Sequence, residues 1–339
     1  MHPTGWEQVI DSGKDFLCNF ATASLVSFYK YPLMTTSWFN WLSFVILFIG
    51  LALMGSSFLD PQAEEGGATS SRTGLPQMIT SITPDKTYTF AGEELDMSNM
   101  DLRERLDREL IVNAYYHSNT LLSLKKARRF FPVIEPILRE EGVPDDLKYL
   151  AVAESALMNA VSSAGARGIW QFMEATAKSY GLEVNSEVDE RNHLEKSTRA
   201  ACQYLKSYYA KFGSWQLAAC GYNMGGPRLA REMEIQRAKT FAEVNLNSET
   251  SRYLFRIVAL KTILEDPAAF GYQLEDEDYY PPMDNVDKVT VDSAVANWGD
   301  FAIQHGTNYR MLKVYNPWLK DNKLTNKARK TYTILIPKA

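Results

Sequence analysis

Apolar residues recur at helical spacing through the middle of this 339-residue chain, from about Asp101 to about Ala269. Spacings of three and four residues put apolar side chains on one face of an α-helix, whereas half-buried strands alternate with a period of two. Little of this block alternates, so it is predicted to be mainly α-helical. Three series carry the pattern: Leu102, Leu106, Leu110 and Ala114; Ala201, Tyr204, Leu205, Tyr208 and Phe212, closed by Gly213; and Tyr253, Ile257, Leu260 and Leu264.

The N-terminal region contains an uncharged apolar stretch from Trp38 to Leu59. About 20 such residues cross the hydrocarbon core of a bilayer. Lysines precede the stretch and acidic residues follow it, and basic residues favour the cytoplasmic side. Residues 38–59 are therefore predicted to be an uncleaved transmembrane anchor, with residues 1–37 as a cytoplasmic tail or a mis-assigned start. The competing interpretation is a signal peptide cleaved near Gly55, but the apolar stretch is longer than a usual signal core.

Changes in composition divide the rest of the chain. Residues 60–98 are rich in Gly, Ser, Thr and Pro and are predicted to be a flexible linker outside the cytoplasm. The helical block is predicted to form one domain at 99–272. An acidic segment with two prolines, residues 273–285, is predicted to link it to a small module at 286–339. In that module the pattern predicts a strand, two short helices and a closing strand.

The composition excludes some classes of function. A net charge of −5 argues against nucleic-acid binding, which normally needs a basic surface. Carbohydrate binding fits, because aromatic side chains can stack on sugars. The four His and three Cys are scattered without the spacing of metal ligands, so neither a metal nor another cofactor is predicted. Cys202 and Cys220 are predicted to be two buried thiols, with a disulfide between them as the alternative.

A glutamate interrupts an apolar helical stripe. Pro144 marks a helix start, and Leu147, Leu150, Ala151 and Glu154 then fall at positions i, i+3, i+4 and i+7. A carboxyl group on such a face loses solvation, which raises its pKa. A general acid needs this property near neutral pH. The alternative is an ordinary glutamate at a helix end, paired with a cation or turned to water, and periodicity alone favours that alternative.

Further polar residues follow at two places. Residues 169–173 are predicted to open another helix after a turn-rich loop. The predicted inner face of that helix consists of Ile169, Phe172, Met173 and Tyr180. Gln171 offers both a donor and an acceptor to a sugar amide or hydroxyl. Tyr222 and Asn223 would present a phenol and an amide at the end of a third helix, where glycines let the backbone approach a ligand.

Five segments, taken in order, resemble a known family. They are AES at 153–155, SSAGARGIWQFMEATAKSYGL at 162–182, VDERN at 188–192, AACQYLKSYYAKFGSWQLAACGYNMG at 200–225 and SETSRY at 248–253. They resemble the lytic transglycosylase branch of the lysozyme-like superfamily, most closely the membrane-bound lytic murein transglycosylase D-like group. The resemblance implies a mainly α, lysozyme-like helical lytic transglycosylase domain, also called an SLT domain.

The C-terminal module resembles a LysM module, a small β-α-α-β fold that binds N-acetylglucosamine chains. Asp292-Ser293-Ala294 stands where a Gly-Asp-Thr turn is expected. Glycan binding and a structural or protein-docking role therefore both remain open, since a fold does not fix a function.

By the resemblance of the helical domain, Glu154 is the catalytic acid and base. The same resemblance implies six substrate-binding residues: Ser155, Ser162, Gln171, Tyr222, Asn223 and Tyr253. The chain departs from the family pattern at Gly221, where Ala is common, and at Ala160, where Pro is common. Neither departure removes a polar group.

The implied reaction cleaves the MurNAc–GlcNAc β-1,4 bond of peptidoglycan and closes a 1,6-anhydro ring on the muramic acid. The second carboxylate that hydrolytic glycosidases use is then unnecessary. The implied location is the extracytoplasmic, periplasmic side of the cell envelope. Glycan strands and the membrane are the expected partners, and other envelope proteins are further candidates. A hydrolytic muramidase on the same fold and a non-catalytic glycan-binding scaffold are the alternatives.

Overall fold

The structure is a computed structural model that describes residues 80–82 and 86–338. The predicted tail at 1–37, the predicted transmembrane anchor at 38–59 and the predicted linker up to residue 79 lie outside the described residues. Among the residues that are described, none of the helices combines the length and the apolarity that a membrane crossing requires.

The described part of the chain contains ten α-helices and four short strands, which confirms the mainly α prediction. The first elements are β1 (Tyr88–Phe90), β2 (Glu93–Leu95), α1 (Met100–Tyr115), α2 (His117–Glu140), α3 (Lys148–Ser155), α4 (Glu174–Ser179), α5 (Leu194–Phe212), α6 (Trp215–Met224), α7 (Gly226–Gln236) and α8 (Ser248–Glu265). The C-terminal elements are β3 (Val286–Val291), α9 (Trp298–Gln304), α10 (Tyr309–Tyr315) and β4 (Tyr332–Pro337).

Helix α8 lies at the centre of the helical domain. It packs against α1, α3 and α6, and its buried residues, such as Tyr253 and Phe255, occur on all sides. A helix that is apolar all round has to be enclosed by other elements. The side-chain oxygen of Asn247 caps its start by accepting from the backbone N–H groups of Glu249 and Thr250, each at 3.0 Å.

The helices predicted from periodicity are present. Leu102, Leu106, Leu110 and Ala114 are all buried on α1. Helix α5 ends at Gly213, whose φ of 68° lies in the left-handed region that glycine adopts without strain. These predictions succeed because the apolar stripe of each helix is the face that the domain buries.

Residues 88–95, predicted to belong to a flexible linker, form an antiparallel β-hairpin that packs into the core. Tyr88 and Phe90 of β1 and Leu95 of β2 are buried. The linker prediction for residues 60–98 is therefore wrong from Tyr88 onward. The polar composition was misleading, because a short hairpin can dock through the few alternate side chains that face the core.

Glu93 of this hairpin reaches the start of α6. Its carboxylate accepts a hydrogen bond from Ser214 Oγ at 2.7 Å. It also accepts from the backbone N–H groups of Trp215 and Gln216, at 2.5 and 3.2 Å. A carboxylate at a helix N-terminus satisfies unpaired N–H groups and opposes the positive end of the helix dipole. The hairpin thereby fixes the start of α6.

Glu93→Ala is expected to lower the free energy of unfolding by about 1–2 kcal/mol, because three donors lose a charged acceptor at a helix N-terminus. Urea unfolding measures the change. Glu94→Ala, at the exposed neighbouring position, is the matched control and is expected to change stability by less than about 0.5 kcal/mol. Equal stability of the two variants would contradict the capping role.

Helix α3 stops sharply after its last apolar turn. It ends at Ser155, because Ala156 and Leu157 adopt left-handed φ values of 49° and 55°. The chain therefore leaves the helix abruptly, one residue after Glu154. This break leaves Glu154 in the last turn of α3.

Residues 169–173 do not open a helix, so that prediction is wrong. They belong to a tight turn, and α4 begins only at Glu174. Gly168 and Gln171 have φ values of 84° and 49°, which an α-helix cannot contain. Backbone hydrogen bonds in both directions between Arg167 and Phe172, at 3.0 and 3.1 Å, close the turn. We refer to residues 168–172 as the Gln171 turn.

The predicted inner face of that segment is only partly buried. Ile169 and Phe172 are buried, but Met173 is 46% exposed. Trp170, which was not assigned to the inner face, is fully buried, and its indole N–H donates to Thr198 Oγ1 at 2.9 Å. A turn distributes its side chains differently from a helix, so the helical assignment misplaced them.

The C-terminal module has the predicted β-α-α-β order. Strands β3 and β4 pair antiparallel, from Val286 opposite Pro337 to Val291 opposite Tyr332. Helices α9 and α10 cover the pair, and a separate apolar core includes Trp298, Leu312, Trp318, Leu324, Ile334 and Ile336.

The predicted linker at 273–285 lies along α2. The backbone N–H of Tyr280 donates to Lys125 O at 3.1 Å. The Nε of Arg129 donates to Pro281 O at 3.0 Å. The segment is therefore attached to the helical domain before it enters β3.

Cys202 and Cys220 are free and buried, which confirms the prediction of two buried thiols. Burial raises the pKa of each thiol to about 12. Both side chains are apolar packing elements of α5 and α6.

Candidate active site

Glu154 lies in the last turn of α3, on the stripe that the sequence indicated. Leu147, Leu150 and Ala151 on the same stripe are fully buried, and α3 packs against α8. The side chain of Glu154 is partly buried at the end of this apolar row. The sequence prediction of a carboxyl group on an apolar helix face is therefore confirmed.

The surroundings of Glu154 favour its protonated form. Burial is the largest influence, and it raises the pKa of the carboxyl group from 4.5 to about 7. A hydrogen bond from Tyr253 and the positive charge of Arg256 oppose this rise. The negative charge of Glu249 adds to it. The balance leaves a carboxyl group that exchanges its proton near neutral pH.

Tyr253 makes the direct contact with this carboxyl group. Its phenol donates a hydrogen bond to Glu154 Oε1. Burial, followed by the neighbouring charge of Glu154, raises the pKa of Tyr253 well above its usual value. The phenol therefore stays neutral and remains a donor. It holds Oε1 in place and leaves Oε2 to carry a proton.

Tyr222 lies next to this pair, but its hydroxyl is already engaged. It donates to Trp170 O at 2.6 Å, within the Gln171 turn. Burial and then the charge of Glu154 raise the pKa of Tyr222. Its ring packs against Phe172 with a centroid distance of 6.1 Å. The phenol thus joins α6 to the Gln171 turn.

Gln171 presents one end of its amide. Its Nε2 donates to Gly168 O at 2.8 Å and to Ala160 O at 3.1 Å. The donor half predicted for a ligand is therefore used within the loop. The two bonds orient the side chain through its nitrogen, so the carbonyl oxygen is the end of the amide that they do not use.

The Asn223 amide is held by its oxygen, whereas the Gln171 amide is held by its nitrogen. Its Oδ1 accepts a hydrogen bond from Thr250 Oγ1 at 2.8 Å. Thr250 is buried and accepts in turn from Asn247 Nδ2 at 3.0 Å. This chain of bonds identifies Oδ1 as the bound end of the amide and leaves Nδ2 as a donor. Thr250 was not predicted as a site residue, although it belongs to the SETSRY segment.

The two predicted serines organise the loop. Ser162 Oγ accepts from the backbone N–H of Ala166 at 3.0 Å, and Ser162 itself is partly exposed. Ser155 is buried, and its hydroxyl donates to Ile169 O at 2.8 Å. The Ser155 hydroxyl thus faces the backbone beneath the Gln171 turn, and substrate contact by Ser155 stays a prediction.

Other acids of the region have their own cations. Asp145 pairs with Lys148 at 2.5 Å, and Asp146 pairs with Lys261 at 2.7 Å. Glu174, just after the Gln171 turn, is exposed and pairs with Lys178 at 2.6 Å. Within the described ranges, Glu154 makes no hydrogen bond to a second carboxyl group. The same ranges contain no cluster of His, Cys, Asp and Glu suited to a metal ion.

Glu109 was missed by the sequence analysis, although it lies on the apolar stripe of α1. It is fully buried and accepts from Arg252 at 2.7 Å, and its Oε2 lies 3.7 Å from Arg256 Nε. Arg256 is the cation whose charge lowers the pKa of Glu154. Glu109 therefore positions a charge that acts on Glu154.

Comparison with known protein families agrees with this site. Residues 131–245 match the family described as "Transglycosylase SLT domain". Residues 287–339 match the family described as "Soluble lytic transglycosylase C-terminal LysM-like domain". The chain therefore contains a transglycosylase SLT domain followed by a LysM-like C-terminal domain. The matched ranges include Glu154, Gln171, Tyr222 and Asn223.

Individual relatives agree with the family matches. The chain is 29% identical over 269 residues to "Membrane-bound lytic murein transglycosylase D" of Escherichia coli strain K12. The same identity is found with the protein of that name from Escherichia coli O6:H1. Each match covers 76% of this chain and 57% of the relative. The resemblance to the lytic murein transglycosylase D-like group is thereby confirmed.

Proposed function

We propose that this chain is a peptidoglycan lytic transglycosylase that cleaves the MurNAc–GlcNAc β-1,4 bond and leaves a 1,6-anhydro-MurNAc end. One observation carries the proposal: the Glu154 carboxyl group, with its pKa raised to about 7, accepts a hydrogen bond from the neutral phenol of Tyr253. The SLT domain and the relatives support the same activity.

In the first step, Glu154 acts as the acid. The carboxyl proton on Oε2 passes to the oxygen that links the two sugars, and the bond from that oxygen to C1 of the muramic acid breaks. A pKa near 7 keeps much of the acid protonated at neutral pH while still allowing transfer. The Tyr253 phenol stabilises the carboxylate that this step forms.

In the second step, the same group acts as the base. The N-acetyl oxygen of the muramic acid supports the electron-poor C1. Glu154, now a carboxylate, takes the proton of the muramic 6-hydroxyl, and that oxygen bonds to C1. Water is not consumed, and Glu154 returns to its protonated state. One carboxyl group thus suffices where hydrolysis normally uses two.

The oriented amides support binding of an N-acetylated sugar. Gln171 offers a carbonyl oxygen and Asn223 offers an N–H group, each fixed by bonds to its other end. Such a pair can accept from a sugar N–H or hydroxyl and donate to a carbonyl oxygen. Fixed partners reduce the entropy lost when the sugar binds.

The proposed place of action is the extracytoplasmic, periplasmic side of the cell envelope. The uncharged stretch at 38–59 supports attachment to the membrane, and relatives carry the name "membrane-bound". Its partners would be glycan strands, and the protein would act in cell-wall turnover or remodelling. The LysM-like domain would bring glycan or envelope proteins to the same surface.

Tyr253→Phe is expected to raise the pKa of Glu154 further, because the phenol bond favours the carboxylate. The acid then stays protonated to higher pH, and the alkaline limb of the kcat/KM profile moves upward in pH. Glu249→Gln is expected to move it downward, because a nearby negative charge is removed. Profiles that shift in the same direction in both variants would contradict this electrostatic assignment.

Digestion of purified sacculi in water enriched in oxygen-18 tests the reaction itself. Lytic transglycosylation gives anhydro ends without the heavy isotope, and mass spectrometry of the products detects them. A hydrolytic muramidase, which serves as the control enzyme, gives reducing ends that carry it. Labelled reducing ends from this protein would assign it as a hydrolase, and intact sacculi would leave a non-catalytic binder.

A further inference from the structure

The C-terminal module is joined to a segment of the SLT domain at residues 183–193, which we refer to as the 183–193 segment. Its Val188 pairs with Leu319 of the module as an antiparallel bridge. The backbone N–H of Asp189 donates to Trp318 O at 2.8 Å. Val188 is only 1% exposed and belongs to the apolar core of the module. The segment therefore contributes directly to the module's own packing.

Side chains reinforce this junction. The Glu187 carboxylate accepts from the backbone N–H and the hydroxyl of Thr325, at 2.8 and 3.0 Å. His193 stacks on Trp318 with a centroid distance of 5.6 Å. The phenol of Tyr332 donates to Glu183 at 3.0 Å. The junction is thus continuous from one end of the segment to the other.

The other face of the 183–193 segment contacts the Gln171 turn and the loop before it. Arg191 is 5% exposed and forms a two-pronged ion pair with Asp189, with both N–H···O distances at 2.8 Å. The remaining prong, Nη1, donates to Gly165 O at 3.1 Å and to Phe172 O at 3.3 Å. A lysine could not reproduce this set, because it lacks the planar fork of the guanidinium.

The backbone contact is equally close. A Cβ placed on Gly168 would lie 1.9 Å from Arg191 O, so only glycine fits at that point. The carbonyl of Arg191 therefore packs directly on the first residue of the Gln171 turn. Main-chain and side-chain contacts together transmit the position of the segment to the turn.

We infer that the C-terminal module is a positioning element of the active site, acting through the 183–193 segment on the Gln171 turn. The module holds Val188 and Asp189, Asp189 orients Arg191, and Arg191 holds the turn that carries Gln171. This role does not require the module to contact glycan. The inference rests on the proposed function only where it treats Gln171 as a sugar contact.

Glu187→Ala in the full-length chain tests the inference, because it removes both bonds from Thr325 at a position away from Glu154. Hydrogen exchange of residues 160–173, followed by mass spectrometry without substrate, is expected to become about three- to tenfold faster. The KM for a soluble glycan oligomer is expected to rise by a similar factor of about three to ten, with kcat within about twofold. A purely structural role would not separate KM from kcat.

Two further variants complete the test. Arg191→Lys breaks the next link and is expected to accelerate exchange of residues 160–173 at least as much. Asp287→Ala removes an exposed ion pair with Lys338 within the module, at 3.0 Å, and is the control expected to change neither measurement.

Unchanged exchange of residues 160–173 in Glu187→Ala would overturn the inference, even if the 183–193 segment itself exchanged faster. The inference would also be overturned if exchange of residues 160–173 and KM changed no more in Glu187→Ala than in the Asp287→Ala control. Because exchange is measured without turnover, absence of anhydro product would reject the proposed function and leave this result standing.

Discussion

Glu154→Gln is expected to lower kcat for glycan cleavage by about a thousandfold, within the range of 10²- to 10⁴-fold that general acid–base catalysis contributes. The amide has nearly the shape of the carboxyl group and keeps an oxygen for the Tyr253 phenol. It can neither donate a proton to the bridging oxygen nor take one from the 6-hydroxyl. Release of anhydro ends from sacculi, quantified by mass spectrometry, measures the loss.

The same substitution is expected to change stability in a pH-dependent way. The pKa of Glu154 is about 7 in the folded protein against 4.5 for the ordinary group. Between these values the folded protein holds a proton that the unfolded chain has lost, so the free energy of unfolding falls as pH rises. The Glu154→Gln variant does not undergo this loss and is expected to be about 3 kcal/mol more stable than the wild type at pH 8. Below about pH 4 the two should be nearly equal.

Glu174→Gln is the matched control, since Glu174 lies just after the Gln171 turn but is exposed and paired with Lys178. It is expected to keep activity within about twofold, because surface pairs contribute little. Wild-type levels of anhydro product from Glu154→Gln would reject the catalytic assignment. Identical urea unfolding curves for wild type and Glu154→Gln at pH 8 would reject a raised pKa.

Gly168→Ala is expected to reduce the free energy of unfolding by about 2–5 kcal/mol, combining left-handed strain with overpacking. The residue has a φ of 84°, and its new Cβ would meet Arg191 O at 1.9 Å. Either the Gln171 turn or the 183–193 segment has to move. The melting temperature is expected to fall by about 5–15 °C, and glycan cleavage is expected to fall with the displaced turn.

Gly165→Ala separates the two causes in the same loop. Gly165 has almost the same φ, 85°, but an added Cβ there meets nothing within 4 Å. Strain alone is then expected to cost about 1–2 kcal/mol. If the two alanine variants lose the same stability and activity, close contact with Arg191 O is not what requires glycine at Gly168.

The helical framework and the central carboxyl group could be predicted because each depends on a local repeat. The buried residues of α1, α5 and α8 recur at helical spacing, and Glu154 sits at i+7 of a row whose other members are fully buried. Family resemblance added the partners on distant helices. Periodicity alone could not have paired Glu154 with Tyr253, 99 positions away.

The failed predictions depend on contacts between distant segments. The backbone of the Gln171 turn is fixed by Arg191, and nothing in IWQFM indicates a left-handed glutamine. The hairpin at 88–95 has strands of three residues each, too short to show a pattern. The hairpin is attached to α6 by hydrogen bonds that the Glu93 carboxylate accepts from donors more than 120 positions later in the sequence.

Glu109 and Glu154 show why an acid on an apolar stripe does not define a function. Both interrupt a buried row, yet Glu109 is neutralised by arginines of α8, whereas the direct partner of Glu154 is a phenol. A buried carboxylate with cations is a structural ion pair. A buried carboxyl group beside a neutral donor remains free to gain and lose a proton.

The junction between the two domains also limits how they can be recombined. Since Val188 completes the apolar core of the C-terminal module, a chimaera that imports a foreign LysM-like domain leaves this valine without its pocket. A working exchange would have to carry residues 183–193 along with the new domain. Substitutions at Val188 and Leu319 are then expected to occur together in evolution, because each residue packs against the other's segment.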